Sequence, residues 1–332
     1  MDTNNFKIEK KKGSVVEITG EIAFTELESH RNTAIKSLGK DIQIKGFRKG
    51  NVPEKVLIEK IGEGTILQEM AELTIRETYP KIIIENKLNP IAQPNITITK
   101  LAPKNPLEFK IEIVVMPEFE IADYKNLAKD IKRDEIKVEK KEIEDTLEQV
   151  LESKKENDKK PELTDEFAKS LGDFKSVADL KEKIEESIKF QKEGQAKDKH
   201  RVAILESIIA ETQMDLPEII MESELQKMMM QFRVDVEHMG MNWEEYIKKI
   251  NKTEDDLKKE WRADAEKRAK SQMILNKIAI EENLVADEKD VEHETEHLLS
   301  HHPKANKENV RVYAEQMLTN EKVFKFLEKS SK

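Results

Sequence analysis

The residues whose types and spacing could most directly do chemistry are His293-Glu294-Thr295-Glu296-His297. Two histidines four positions apart share one helix face. With the intervening glutamate they match the zinc-hydrolase pattern, in which the imidazoles hold metal and the carboxylate activates water. His301 and His302 follow one turn later. The pattern fixes only three residues, however, and arises readily in a segment rich in Glu and His. Its flanks, Asp287-Glu288-Lys289-Asp290 and Glu292, are polar on all sides, whereas hydrolysis needs a dry wall, and no third ligand stands out. The stretch reads as a solvated helix face. Adventitious Zn or Ni binding by His293, His297 and His301 fits it better than proteolysis, and a zinc hydrolase stays as the enzymatic alternative. There is no cysteine, so thiolate sites and disulfides are excluded. Neither a G-x-S-x-G elbow nor a G-x-x-x-x-G-K-[ST] loop occurs, and Gly62-Glu63-Gly64 is too short to cradle a phosphate. No catalytic residue, metal or cofactor is expected.

A second constellation is Lys45-Gly46-Phe47-Arg48-Lys49-Gly50-Asn51-Val52-Pro53. One aromatic and several cations lie between glycines that permit unusual backbone angles, and Pro53 suits the start of a helix. Two readings compete. Phe47 folds back into a core beneath an ordinary turn, or Lys45, Arg48 and Lys49 reach phosphates or acidic side chains while Phe47 enters a crevice. A third feature is Met228-Met229-Met230, with Met221, Met239 and Met241 nearby. Successive helical residues rotate by about 100°, so three adjacent methionines cannot all face one core. Either the core there is loosely packed, or Met221, Met228, Met229, Met230, Phe232 and Met239 offer an adaptable apolar surface for many partners.

The elements that must carry these groups follow from periodicity. Phe6 to Ile22 reads as a hairpin turning at Lys12-Gly13. Thr25 with Glu28 and Thr65 with Gln68 read as capping boxes opening helices, and Gly39 and Gly62 as helix ends. Pro53 starts a short helix with Val56, Leu57 and Ile61 inward. Pro80 is expected to bend or split the helix that carries Met70, Leu73 and Ile82. Ile96–Leu101 and Leu107–Val115 alternate as strands, closing an α+β domain near Pro117. Residues 121–138 show weak strand-like alternation around Ile131, Ile136 and Val138. A helix over 139–154 and a charged linker to Lys160 complete the connector. From Pro161 only helices are predicted: one closed by Gly172, one capped by Ser176 and reaching Thr212, one from Pro217 to about Met239, then 242–250, 253–283, 286–302 and two shorter ones. The stretch Gln191–Arg201 is polar on nearly every face, which predicts a solvated arm.

Composition agrees with a thin core: 38% of residues are charged, 37% hydrophobic and 5% aromatic. A net charge of -10 argues against coating nucleic acid, though a local basic patch is compatible with it. The first residues lack a signal-peptide core and no run reaches membrane-spanning length, so a cytoplasmic protein without a membrane partner is expected.

The loop also resembles a known family. Gly46-Phe47-Arg48-Lys49-Gly50-Asn51-Val52-Pro53 is similar to the G-F-R-x-G-x-x-P ribosome-docking motif of bacterial trigger factors. Asn89-Pro90, Met116-Pro117-Glu118, Pro161-Glu162-Leu163-Thr164-Asp165-Glu166-Phe167, Leu216-Pro217, Glu222-Ser223-Glu224-Leu225 and Glu281-Glu282-Asn283-Leu284 with Asp287-Glu288 extend the resemblance over most of the chain. It implies an α+β ribosome-binding domain (antiparallel sheet with helices) over 1–118, a connector over 119–160, and an all-α, extended cradle for clients over 161–332. It implies docking through Phe47, Arg48, Lys49, Lys45, Gly46, Gly50 and Pro53 near the nascent-chain exit of the large ribosomal subunit, on protein and rRNA. It further implies ATP-independent holding of nascent and unfolded polypeptides during folding or export. A homodimer of the free protein and a partner-specific adaptor without general chaperone activity stay open. The sequence departs from the family in two places. Pro80 interrupts a helix, and Leu151–Lys160 leaves no room for the FKBP-type peptidyl-prolyl isomerase domain, so isomerase activity is not expected.

Overall fold

The computed structural model describes residues 6–40, 53–155 and 160–330. By contact the chain divides into two units, one of residues 1–119 with 214–269 and one of 120–213 with 270–332.

In the first unit, strands β1 (Phe6–Lys11), β2 (Val15–Ile22), β3 (Asn95–Lys100) and β4 (Leu107–Val114) form one antiparallel sheet in the order β1-β2-β4-β3. Period-two alternation puts Val16, Ile18, Ile22, Leu107, Phe109, Ile111 and Ile113 on one buried face. Register opposes Ile18 to Ile111 and Ile22 to Leu107. Gly20 stands between Phe6 and Phe109, whose rings meet at 5.8 Å. The other face is a charge ladder. Glu17 lies between Lys11 and Lys110, and hydrogen bonds from those two ammonium groups hold its carboxyl down at about 2.

Helices α1 (Phe24–Ser29), α2 (Arg31–Gly39), α3 (Glu54–Ile61) and α4 (Glu63–Glu85) cover the apolar face. Neither expected capping box forms. Phe24 packs on the core, so α1 starts there with Ala23 as its cap and Thr25 already inside. Gly62, at φ 86°, ends α3 and opens α4, and the Ile66 N–H donates to the Gly62 carbonyl, leaving Thr65 within the first turn.

The expected break at Pro80 is absent: α4 runs through it. A proline there removes the bond to the carbonyl of Arg76, and both residues are exposed, so water can take that carbonyl. Buried Thr74, Ile75 and Thr78 before it and Ile82 after it pin both halves to the sheet. The hydroxyls of Thr74 and Thr78 donate to the carbonyls of Met70 and Thr74. Pro80→Ala is therefore expected to stabilise the fold by about 1–2 kcal/mol, less than the full interior-proline penalty of ~3 kcal/mol. A higher urea midpoint with unchanged slope would show it.

The same unit contains α9 (Glu218–His238), α10 (Trp243–Lys249) and the first part of α11 (Glu254–Glu281). They share a small core of Met229, Val236, Trp243 and Leu257, where the Phe232 ring sits edge-on to Trp243, Tyr246 and Trp261 at 5.2–5.8 Å. The Asp215 carboxylate accepts from the Gly13 N–H at 2.5 Å, and the Ser14 hydroxyl donates to the Asp215 carbonyl at 2.9 Å.

In the second unit, α5 (Tyr124–Asp130) replaces the strand-like start expected for the connector; the Asp123 carboxylate caps it by accepting from the Asn126 N–H. Helix α6 (Lys140–Ser153) follows behind a Glu139/Glu142 capping box. Helix α7 (Asp165–Leu171) lies between Thr164 and Gly172, and α8 (Val177–Glu211) between Ser176 and Thr212. The remainder of α11, α12 (Glu288–His301) and α13 (Lys307–Ser330) complete the unit; α13 is one helix where two were expected.

The polar middle of α8 is largely exposed, as expected, except at its end, where His200 and Arg201 are taken into packing. His200 is buried and its Nε2 lies 2.9 Å from the Ile131 carbonyl. Arg201 donates to Glu321 and Glu328 on α13 at 2.6–2.9 Å, and its guanidinium lies 4.8 Å from the Phe324 ring. Lys192 pairs with Glu142 and Lys199 with Asp134. These polar contacts leave no trace in the hydrophobic periodicity of the stretch.

Candidate functional site

Phe47, Arg48, Lys49, Lys45, Gly46 and Gly50 lie outside the described residues. Their two stems lie within them. Helix α2 ends at Gly39, and Pro53 caps α3 with extended backbone (φ −58°, ψ 138°). Gly39 sits against Leu57: a Cβ there would stand 3.0 Å from a Leu57 methyl. An alanine there would press on the flexible end of Leu57, which would have to give by a few tenths of an ångström, so glycine eases a close approach here. Leu57, Ala34 and Ile35 belong to the sheet-packed core. Arg31 forks onto Glu63 at 2.7 and 2.9 Å, tying α2 to α4; that hydrogen bonding lowers the Glu63 pKa. His30 lies 3.6 Å from Glu77. Helices α2 and α3, which flank residues 41–52 in the sequence, thus both pack on this core.

The methionine-rich helix α9 divides by face. Met221 and Met229 are buried, Met228 is half-buried, and Phe232 is engaged in the aromatic cluster. Met230 and Met239 are 71% and 70% exposed. Of the six named residues, these two offer open apolar surface.

Sequence reasoning missed other exposed apolar groups. Phe190 on α8 is 80% exposed, and Ile280, Val312 and Tyr313 project outward in the same unit. Tyr313, Met317 and Phe324 follow one another along α13 and line a groove of ≈ 300 Å³, together with Arg201, Gln272 and Asn320. The signal was the spacing of Tyr313, Met317 and Phe324, obscured by a wrong break expected in the helix. On α12, Val291 and Thr295 are buried while His293 and His297 face outward. Among the described residues no group of three or more His, Cys, Asp or Glu is arranged to hold a metal. No described helix is long and apolar enough to cross a membrane.

Comparison with known proteins decides what this scaffold is. The family model described as "Bacterial trigger factor protein (TF)" matches residues 4–150, and "Bacterial trigger factor protein (TF) C-terminus" matches 176–329. The chain belongs to the bacterial trigger factor family. A trigger factor of Caldicellulosiruptor bescii is 25% identical over 384 residues, covering 88% of this chain and 87% of that protein. A trigger factor of Bacillus pumilus is 25% identical over 381 residues, covering 87% and 89%. These alignments are longer than the 332-residue chain, so these trigger factors carry residues with no counterpart here. A solved structure from work on promiscuous substrate recognition in folding and assembly activities of the trigger factor chaperone superposes with TM-score 0.63 at 16% identity, covering 98% of this chain and all of that one. The trigger factor fold, an antiparallel sheet with helices followed by a long helical region, is thereby shared.

Proposed function

We propose that the chain is an ATP-independent, ribosome-associated chaperone. It docks near the nascent-chain exit of the large subunit, on protein and rRNA, and holds newly made, unfolded polypeptides. The observation that carries this reading is the family match at both ends of the chain. The segment between rigid stems, with Phe47, Arg48 and Lys49 at its centre and Lys45, Gly46, Gly50 and Pro53 around them, is the docking element. Functionally, residues 1–118 bind the ribosome, 119–160 connect, and 161–332 hold clients. Met230, Met239 and the groove of Tyr313, Met317 and Phe324 supply dispersed apolar contacts. Such contacts suit weak, reversible binding. The protein works in the cytoplasm and forms a homodimer when free.

We also infer that it is not an enzyme. Only residues 151–175 lie between the two family matches, too few for an isomerase domain. The whole chain should suppress aggregation of several unrelated denatured proteins without ATP, while a prolyl isomerase assay on a short peptide stays at background. Protection of a single protein only would favour the adaptor reading, and clear turnover would overturn the non-enzyme reading.

A further inference from the structure

The histidines of α12 remain unused by the chaperone reading. We propose that His297 and His301 form a two-imidazole chelate for a divalent late first-row metal ion, copper(II) above all. Their rings lie 5.0 Å apart, nearly perpendicular, on the outer face of the last turns of α12. Buried Val291 and Thr295 turn the opposite face inward, so both histidines are open to solvent. The Nδ1 of His297 is 3.5 Å from the Glu294 carboxylate. A carboxylate behind one ring nitrogen is the outer-shell arrangement that orients a metal-bound histidine and leaves Nε2 for the metal.

The arrangement also says what the site is not. With no group of three or more ligands among the described residues, water fills the rest of the coordination shell and hydrolysis is not supported. Eight residues of helix rise about 12 Å, so His293 and His301 cannot share one ion. His297 is common to both possible pairs, and its contact with His301 selects the C-terminal pair. Imidazole donors without thiolate favour copper(II) over nickel(II) and zinc(II) in the usual order of divalent affinities. Bound metal cross-links the end of α12 where a helix frays.

The test is titration of the tag-free full chain with CuCl2, NiCl2 and ZnCl2, followed by calorimetry, with electron paramagnetic resonance on the copper sample. The expected result is one copper per chain with nitrogen donors, weaker nickel and zinc binding, and loss of affinity as pH falls, because the ligands must be deprotonated. His297→Ala should lower copper affinity by more than about tenfold and His301→Ala by a comparable factor, with His293→Ala close to the parent. Circular dichroism checks that each variant keeps its helices. Unchanged copper affinity in His297→Ala overturns the site. A loss in His293→Ala exceeding that in His301→Ala overturns the assignment to the C-terminal pair.

Discussion

Replacing Phe47, Arg48 and Lys49 together by alanine is expected to abolish co-sedimentation with ribosomes while leaving the fold unchanged. An aromatic anchor seated in a crevice contributes about 2 kcal/mol or more. Each charge-assisted bond to a phosphate or carboxylate adds about 1.5–3 kcal/mol. Losing all three comes to about 5 kcal/mol or more, several thousandfold in Kd. The fold should survive because the stems are held by Leu57 packed on Gly39 and by the Arg31–Glu63 fork, neither of which uses the three side chains. The single variants separate the contributions. Lys49→Ala should flatten the salt dependence of binding, and Phe47→Ala should weaken binding while keeping that dependence. Unchanged co-sedimentation of the triple variant would refute docking through this segment.

The second large effect concerns Arg201. Its side chain is 13% exposed, and it binds both Glu321 and Glu328. Burial opposes its charge, yet the hydrogen bonds it donates to the two glutamates outweigh burial and raise its pKa. Arg201→Leu removes the guanidinium that both carboxylates bind at the α8–α13 interface, with Lys197 and Lys325 still beside Glu321. Removing one partner of a buried pair costs about 3–5 kcal/mol; the lower end applies here, because Glu321 is a third exposed and screened by solvent. Far-UV circular dichroism in urea should show the loss, and adding Glu321→Gln and Glu328→Gln should recover most of it. Acid provides an independent check. The Glu321 carboxyl is held down to about 2, first by its hydrogen bond to Arg201. Its stabilising contribution is therefore complete above the unfolded carboxylate pKa of about 4.3 and is lost as pH falls from there toward about 2. The Arg201→Leu chain should lack that acid-sensitive loss. Equal stability of variant and parent would mean that the triad does not hold this interface.

Local chemistry was legible in the sequence. Ser176 caps α8, Pro217 opens α9 and Gly172 closes α7, each as its residue type suggests. Sheet alternation at Leu107, Phe109, Ile111 and Ile113 was equally plain. What escaped depended on distant partners. The end of the polar run at Arg201 looked solvated like the rest of it because its partners, Glu321 and Glu328, lie more than a hundred residues away. Pro80 looked like a break because packing on both sides of it is invisible to a local rule. At the candidate site the basic loop 45–53 stood out by composition, its docking role being implied only by the family resemblance, whereas the close approach of Leu57 to Gly39 was visible only in the packing.

The edge-on cluster of Phe232 with Trp243 and Trp261 has an optical consequence. These are the only two tryptophans in the chain, and both sit in that small core. Excited near 295 nm, the whole protein therefore emits from one place (roughly the selective band of indole, set by the polarity around each ring). The sheet and the α8–α13 interface are dark at that wavelength. A polypeptide settling beside Met230 or Met239 would register as a change in emission without any attached dye.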